Sequence, residues 1–292
     1  MNISHKSTLI ETLKEFDVSL KKSLGQNFLI DENIPIKIAS SQEGLADGII
    51  EIGPGAGVLT KELALRFKKV VSIELDKRLK PVLDKTLEEH KNVEIIYEDV
   101  LKADLKKIIE NMGVEKVAVA ANLPYYITSP VIMALLEQRL PLESITVMVQ
   151  KEAADRLTAK IPSRNVGAVT LAVAYYSEPE FLFNVKRGSF MPPPNVDSAV
   201  IKLNIRKEPP VVLNSEEAFF KLIKAAFMHR RKTLVNSVAS GLGIKKEDII
   251  KALLSLNISE TIRPEQLSLE QFANLSNILG WWIWKVFMRV RF

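Results

Sequence analysis

The sequence predicts an α/β protein in which a mononucleotide-binding parallel sheet is followed by a smaller helical region. Three observations support this fold class. A glycine-rich segment at residues 51–57 (EIGPGAG) separates an apolar run from a helical pattern. Glu74 ends the next apolar run, twenty-one residues after Gly53. The excess of positive charge lies after residue 206, which sets the end of the chain apart from the rest.

The glycine-rich segment is predicted to be a turn between a strand and a helix. Residues 48–52 (GIIEI) are β-branched and apolar, as in a strand buried in a parallel sheet, and residues 58–67 carry apolar side chains at helical spacing. Glycine allows a positive φ and the close approach of a ligand, and a helix start offers free N–H groups. The turn therefore indicates a nucleotide-like ligand, with tight packing alone as the alternative.

Glu74 favours the ligand-binding interpretation. It follows the run VVSI at residues 70–73, which is predicted to be the second strand. In a mononucleotide-binding βαβ unit, an acid at the tip of this strand accepts hydrogen bonds from ribose hydroxyls. Nicotinamide dinucleotides and S-adenosylmethionine both present such a ribose, so the spacing alone does not choose between them.

Composition narrows the classes of protein. The chain has 292 residues, of which 47% are hydrophobic and 26% charged, so there is ample core material for one large or two unequal domains. It contains no cysteine, and its three histidines show no ligand spacing, so we expect no metal site. No run reaches the length of a membrane span and no secretion signal is indicated. We therefore expect a cytoplasmic protein without membrane contact.

The distribution of charge indicates two regions with different partners. Residues 1–206 contain 27 Lys and Arg against 27 Asp and Glu, whereas the remaining 86 residues contain 13 against 8. This asymmetry is typical of a neutral catalytic domain with a basic appendage for a polyanion. Three of the basic residues lie in an unusual final stretch, without which the excess falls to +2.

The third and fourth strands are predicted to end in polar residues at the same edge of the sheet. Residues 93–97 lead towards Asp99, and residues 117–121 lead into Asn122. Asp99 would lie within reach of the exocyclic amine of a bound adenine, with a helix N-cap as the alternative. Ahead of the first strand, the polar segment 21–31 (KKSLGQNFLID) would either fold over a ligand at the glycine turn or form a surface loop.

The segment Asn122-Leu123-Pro124-Tyr125 indicates methyl transfer to an adenine amine. This amine is a poor nucleophile because its lone pair is delocalised into the ring. An amide oxygen and a backbone carbonyl, here from Asn122 and Leu123, can accept its N–H groups and move the nitrogen towards tetrahedral geometry. Pro124 stiffens the turn, and Tyr125 offers a flat face to an extruded base. The alternative is a proline turn whose aromatic side chains fill a core.

A further motif, FMPPPNVDS at residues 190–198, completes a set that resembles the bacterial ribosomal RNA small-subunit adenine dimethyltransferases. Relatives of that family are the macrolide-resistance methyltransferases of large-subunit RNA. The likeness spans about residues 8–278, and the motifs stand in the family's order. It implies S-adenosylmethionine as methyl donor, and dimethylation of two adjacent adenines in the terminal hairpin of 16S rRNA in a small ribosomal subunit precursor.

The resemblance also implies roles for individual residues. Tyr125 and Phe190 would sandwich the target adenine, and Asn122 would contact both the amine of that adenine and the donor. The donor contacts would come from both sides of the glycine turn, namely Asn27, Leu29, Gly53, Glu74, Asp99 and Asn122.

The remaining elements complete a Rossmann-like seven-stranded methyltransferase domain at residues 1–207. A helix is predicted at about 78–89, a fifth strand at 144–150, a helix at 167–176, and two further strands at 181–185 and 199–205, of which the last is antiparallel.

The second domain is predicted to be small, all-α and RNA-binding, and to span residues 208–279. It follows a stiff linker, Glu208-Pro209-Pro210, and its helices are predicted from two N-cap pairs, Asn214 with Glu217 and Ser268 with Gln271. A basic cluster is predicted to crowd one of these helices, where phosphates would need such charges or where it would be a solvated face. Its proposed RNA contacts are Lys224, Arg230, Arg231 and Lys232.

The last stretch, residues 280–292, is an atypical aromatic tail that contains every tryptophan of the chain. Thirteen residues are too few to span a bilayer as a helix. A packed terminal helix, an interfacial anchor and an accident of the reading frame all stay open as interpretations.

We therefore expect a monomeric enzyme that dimethylates 16S rRNA. A large-subunit RNA methyltransferase of the resistance type is disfavoured by KKSLGQNFLID and by the form of the C-terminal segment. A DNA adenine methyltransferase would more often show DPPY or NPPY than NLPY. A ribosome-assembly factor whose main role is binding would keep the same residues, and a catalytically inactive variant that still supports assembly would favour it.

Overall fold

A computed structural model of the chain describes residues 3–18, 27–229 and 231–290, except for the side chains of 284–290. Within these residues the strands are β1 (Phe28–Leu29), β2 (Gly48–Ile52), β3 (Lys69–Ile73), β4 (Val93–Ile96), β5 (Val117–Asn122), β6 (Leu142–Gln150), β7 (Ser177–Val185), β8 (Phe190–Met191) and β9 (Ser198–Ile205). The helices are α1 (Lys6–Glu15), α2 (Asn33–Ser40), α3 (Val58–Ala64), α4 (Lys80–Thr86), α5 (Leu105–Asn111), α6 (Thr128–Glu137), α7 (Lys151–Leu157), α8 (Ala168–Tyr176), α9 (Glu216–Ala226), α10 (Leu234–Leu242), α11 (Lys246–Ser255) and α12 (Leu269–Val290).

The central sheet has seven strands in the order β4-β3-β2-β5-β6-β9-β7 within the described residues. The pairs β3/β4, β2/β3, β2/β5 and β5/β6 are parallel, and β9 is antiparallel to β6. The predicted seven-stranded Rossmann-like sheet with an antiparallel last strand is confirmed. Strand order reverses between β2 and β5, and a crevice outside the carboxyl ends of the strands is the usual ligand site at such a point.

The middle strands form because both of their faces are covered. β2 is buried along its whole length, including Glu51, and the first five residues of β5 are buried as well. A strand covered on both sides shows a continuous apolar run and not an alternating pattern, which is why these segments were recognisable in the sequence.

Several elements differ from the prediction. The helix expected at 78–89 is a 3₁₀ turn at Lys77–Leu79, whose N-cap is Asp76, followed by the shorter α4 with Pro81 in its first turn. A small antiparallel sheet of β1 and β8 was not predicted, because two-residue strands carry no periodic signal.

By its contacts the chain divides into two compact units, residues 1–154 with 178–205, and residues 155–177 with 206–292. In the second unit α8 packs against α9, because the hydroxyls of Tyr175 and Tyr176 both donate to Glu216 and the Tyr176 ring stacks on Phe220. The assignment of a catalytic domain to 1–207, an RNA-binding domain to 208–279 and a tail to 280–292 stays a prediction.

The starts of α9, α10 and α12 in the second unit have side-chain caps. The predicted pair of Ser268 and Gln271 is confirmed, since each side chain accepts the backbone N–H of the other residue, at 3.1 and 2.9 Å. The predicted pair of Asn214 with Glu217 is wrong by one position, because Ser215 is the N-cap and accepts from Ala218 N–H.

Helix α12 continues into the aromatic tail as far as Val290. Ile283 is buried, whereas Trp281 is exposed. The backbone of this part of the tail is thus a continuation of the last helix. Among the helices that the structure describes, none combines the length and the apolar character needed to cross a membrane.

Candidate active site

A cleft that is partly open to solvent lies at the carboxyl ends of β2, β3, β4 and β5. It is lined by the eight residues to which the family resemblance assigned donor or target contacts: Asn27, Leu29, Gly53, Glu74, Asp99, Asn122, Tyr125 and Phe190. The structure therefore brings together side chains that are up to 163 residues apart in sequence, from Asn27 to Phe190. The individual roles of these residues stay predictions.

The glycine turn makes room for a ligand, and the N–H groups of its three glycines bond within the fold. Gly53, Gly55 and Gly57 have φ values of +72°, +59° and +89°. Their N–H groups donate to the Ile73 carbonyl, the Glu74 carboxylate and the Pro54 carbonyl, respectively. A Cβ at Gly53 would have its nearest neighbour, the Asn122 carbonyl oxygen, 3.9 Å away, so it would occupy the open cleft.

Glu74 is held rigidly at the tip of β3. One carboxylate oxygen accepts from Asp76 N–H at 2.8 Å and the other from Gly55 N–H at 3.2 Å. Burial raises the pKa of the Glu74 carboxyl, and the backbone N–H groups that donate to it oppose this shift. Each carboxylate oxygen can accept more than one hydrogen bond, so Glu74 retains capacity for ribose hydroxyls in the cleft.

Asp99 does not cap a helix. Its carboxylate accepts from Leu101 N–H at 3.0 Å, and the N-cap of α5 is Asp104. The N-cap alternative is therefore wrong for this residue. Asp99 lies in a turn after β4 and borders the same cleft as Glu74.

The carboxyl end of β5 carries the residues assigned to the target base. Asn122 is the last residue of β5, and Tyr125 starts a 3₁₀ turn at Tyr125–Ile127. The Asn122 side-chain amide donates to the backbone carbonyl of Asn27 at 3.4 Å. Tyr125 is half-buried, and burial raises the pKa of its phenol, which therefore stays neutral near pH 7.

Phe190 belongs to the apolar core as well as to the cleft. It is 3% exposed, and in the sheet of β1 and β8 it pairs with Leu29. This pairing places Leu29 and Phe190, one predicted donor contact and one predicted base contact, side by side. Of the segment 21–31, residues 21–26 lie outside the described residues, whereas Asn27 to Leu29 border the cleft.

Two of the side chains at this cleft that sequence reasoning missed are Phe28 and Leu75. The Phe28 ring packs under the glycine turn, where a Cβ at Gly55 would come within 3.2 Å of it. Leu75 is 56% exposed beside Glu74 and borders the cleft, where it offers an apolar face to a base. The sequence feature that could have identified Leu75 was its position directly after Glu74, at the end of the second predicted strand.

The basic cluster of the second unit is not on one helix, contrary to the prediction. Lys224 lies on α9, which ends at Ala226, whereas Arg231 and Lys232 lie in the connection to α10. The physical reason is that Thr233 caps α10 by accepting from Asn236 N–H, so a new helix starts there. Lys224, Arg231 and Lys232 are exposed, and Arg230 lies outside the described residues.

No cluster of three or more His, Cys, Asp or Glu side chains that could hold a metal ion occurs in the described part of the chain. The cleft instead fits S-adenosylmethionine on two grounds. Glu74 supplies a buried acceptor for the ribose, and the missing side chain at Gly53 leaves the space that the donor needs next to the strand ends.

Comparison with known proteins identifies the family of the chain. The sequence model of the family described as ribosomal RNA adenine dimethylase matches residues 18–280. The Ribosomal RNA small subunit methyltransferase A of Geobacillus thermodenitrificans is 51% identical over 275 residues, which cover 92% of this chain and 94% of the relative. The protein of the same name from Listeria monocytogenes is 44% identical, with coverages of 92% and 94%.

Solved structures show the same architecture. A dimethyladenosine transferase from Plasmodium falciparum has a TM-score of 0.73 and 27% identity, covering 87% of this chain and 98% of its own. The 23S rRNA methyltransferase ErmE has a TM-score of 0.67 and 29% identity, with coverages of 87% and 100%. The family model and the relatives show that the chain is a member of the ribosomal RNA adenine dimethylase family of enzymes.

Proposed function

We propose that the protein transfers methyl groups from S-adenosylmethionine to the exocyclic amines of two adjacent adenines in the terminal hairpin of 16S rRNA. Its partner is a small ribosomal subunit precursor, and it acts as a monomer in the cytoplasm, without a metal ion and without membrane contact. The observation that carries the proposal is that one cleft joins a buried ribose acceptor, Glu74, to the Asn122–Tyr125 turn.

We divide the cleft by these proposed roles. The donor half consists of Gly53, Glu74 and Asp99, at the ends of β2, β3 and β4. The base half consists of Asn122, Tyr125 and Phe190.

The base half has the groups needed to activate an adenine amine. A backbone carbonyl accepts only from the NH₂ side of a carboxamide, so the contact with Asn27 leaves the Asn122 Oδ1 atom to accept from the adenine. Asn122 Oδ1 and the Leu123 carbonyl would accept the two N–H groups and favour the tetrahedral nitrogen of the transition state. Tyr125, as a neutral phenol, would stack on the extruded base. S-adenosylmethionine supplies the electrophilic methyl group.

The choice of the small-subunit RNA rests on the pattern of relatives. Relatives named for the small ribosomal subunit include proteins that are 44 to 51% identical to this chain, whereas the 23S rRNA methyltransferase ErmE of similar fold is 29% identical. The exposed basic residues Lys224, Arg231 and Lys232 would contact RNA phosphates.

The test offers purified protein and labelled S-adenosylmethionine to unmethylated small-subunit precursors, to large subunits and to duplex DNA. We expect label only in the small-subunit RNA, in two adjacent dimethyladenosines identified by mass spectrometry. Asn122→Ala is the control for transfer by another enzyme in the preparation. Label in the large subunit would favour the resistance-type activity, and label in DNA would contradict the proposal.

A further inference from the structure

One hydrogen bond in the base half is not explained by the motif chemistry. The hydroxyl oxygens of Tyr125 and Ser198 are 2.7 Å apart. Ser198 is fully buried, and within the described residues Tyr125 is the partner of its side chain. The two residues are 73 positions apart, so neither motif indicates the contact by itself.

Ser198 is a fixed point of the fold. It is the first residue of β9 and pairs with Gln150 in the antiparallel register with β6. The residue before it, Asp197, accepts with its backbone carbonyl from Lys151 N–H at 3.0 Å. Backbone hydrogen bonds therefore hold both sides of the position from which the Ser198 hydroxyl reaches Tyr125.

The same turn also holds the segment that carries Phe190. The Asp197 carboxylate accepts from Arg187 N–H and from the Lys186 ammonium, each at 3.0 Å. These donors lower the pKa of the Asp197 carboxyl, which is thus ionised near neutral pH. Residues 187–189 form a short 3₁₀ turn that leads directly into Phe190. Ser198 thus bonds to Tyr125, and its neighbour Asp197 holds the segment that leads into Phe190.

A hydrogen bond to the hydroxyl of a tyrosine can hold the ring in place without covering the faces that stack on a base. Stacking uses the two faces of the ring, which a hydrogen bond at the tip leaves free. The hydroxyl oxygen lies on the axis of the χ2 torsion, so this bond restrains mainly the χ1 torsion, which sets where the ring lies in the cleft. Small errors in the position of a reacting group reduce turnover strongly, because transfer needs the reacting atoms about 3–3.5 Å apart and aligned.

We propose that Ser198 is a positioning residue, which orients the Tyr125 ring for the target adenine by the hydrogen bond between the two hydroxyls. The inference rests on the proposed function, because it requires that an adenine binds in the base half. It assigns the Tyr125 hydroxyl to orientation and the ring to the substrate.

The test compares Ser198→Ala, Tyr125→Phe and the double variant on the small-subunit precursor. Loss of one neutral hydrogen bond should reduce turnover by roughly three- to tenfold in each single variant, with donor affinity unchanged. Because both substitutions remove the same bond, the double variant should be no slower than the slower single variant. Ser198→Thr, which keeps the hydroxyl, should restore turnover. Multiplied losses in the double variant would overturn the proposal.

A control separates positioning from the general cost of deleting a buried hydroxyl. Ser144 on β6 is also fully buried, and its hydroxyl donates to Gln42, away from the cleft. Ser144→Ala should therefore lower stability without the selective loss of turnover. If Ser198→Ala does not fold, Tyr125→Phe removes the same bond from the other side, and an unchanged turnover in that variant would overturn the inference.

A substrate-free readout distinguishes failure of this inference from failure of the proposed function. NMR of protein with labelled tyrosine side chains should show greater motion about the χ1 torsion of Tyr125 in Ser198→Ala, with assignment from Tyr125→Phe. An unchanged Tyr125 signal would overturn the positioning role even if the wild type methylates the precursor. A wild type that leaves the precursor unmethylated, together with a changed ring signal, would instead overturn the proposed function.

Discussion

The two halves of the cleft are built in different ways. In the donor half, Gly53 and Glu74 lie at the ends of the neighbouring parallel strands β2 and β3, within one continuous βαβ stretch. In the base half, Asn122 and Tyr125 come from one segment after β5, whereas Phe190 comes from β8, which pairs with Leu29. The donor half and the Asn122–Tyr125 segment are therefore visible as local patterns, whereas the meeting of that segment with Phe190 is not.

The largest effect should come from filling the donor half. Gly53→Val should reduce donor affinity by roughly 100-fold or more, because its side chain would enter the cleft and its backbone would be strained at φ +72°. Calorimetry with S-adenosylmethionine measures this directly.

Gly113→Val is the matched control for that substitution. Gly113 also has a positive φ, +66°, but no heavy atom lies within 4 Å of an added Cβ, and Gly113 is away from the cleft. It should bear the backbone strain and still bind the donor. Equal losses of affinity in the two variants would mean that strain, and not occupation of the cleft, explains the effect.

Beneath the donor half, Glu51 should make stability depend on pH. Burial raises the pKa of this carboxyl from 4.5 to about 7, and although Ser72 donates to one oxygen at 2.7 Å, the other has no hydrogen-bond partner among the described residues. The folded protein keeps the proton up to about pH 7, whereas the unfolded chain releases it near 4.5. The free energy of unfolding should therefore fall as pH rises through this range, by about 3 kcal/mol in total, and stay lower above it.

Denaturant unfolding of the wild type and of Glu51→Gln at pH 5 and pH 8 tests this prediction. The glutamine variant should lose less stability than the wild type over that interval, because it has no proton to release. Glu89→Gln, at an exposed carboxyl, serves as the control. Parallel pH profiles for Glu51→Gln and the wild type would show that Glu51 is ionised throughout.

The smallest effect concerns RNA affinity, which we assign to neither half of the cleft. If Arg231 and Lys232 neutralise phosphates, the double alanine variant should reduce the slope of log affinity against log salt by about 0.7 per lost contact. Donor binding should stay the same. Circular dichroism should first confirm folding, because arginine stems also cover apolar surface. An unchanged salt slope would mean that Arg231 and Lys232 are solvated surface residues that do not contact RNA phosphates.

The same difference between local and long-range structure explains what the sequence could predict. The sheet, the glycine turn and Glu74 were predictable, since short buried runs and the spacing of an acid are local signals. The Tyr125–Ser198 contact and the pairing of Leu29 with Phe190 were not, because they depend on how distant segments meet. A local pattern also gave a wrong prediction at the basic cluster. Its residues were predicted to lie on one helix, but the N-cap Thr233 starts a new helix after them.

The protonation of Glu51 was also beyond the sequence. An acid in a strand followed by a glycine turn could have faced a ligand or the core, and both choices fit the spacing. In the structure Glu51 is completely buried beside Ser72, so its side chain belongs to the core. The loss of solvation then raises its pKa.

The central claim, that the cleft has separate donor and base halves, is tested most directly by measuring donor affinity and turnover together in Glu74→Ala and Tyr125→Ala. Removing the ribose acceptor should weaken donor binding by roughly 10- to 100-fold, with turnover at saturating donor much less affected. Removing the stacking ring should leave donor affinity within about twofold and lower turnover on the small-subunit precursor by roughly 10- to 100-fold. Equal losses of affinity and turnover in both variants would contradict the account.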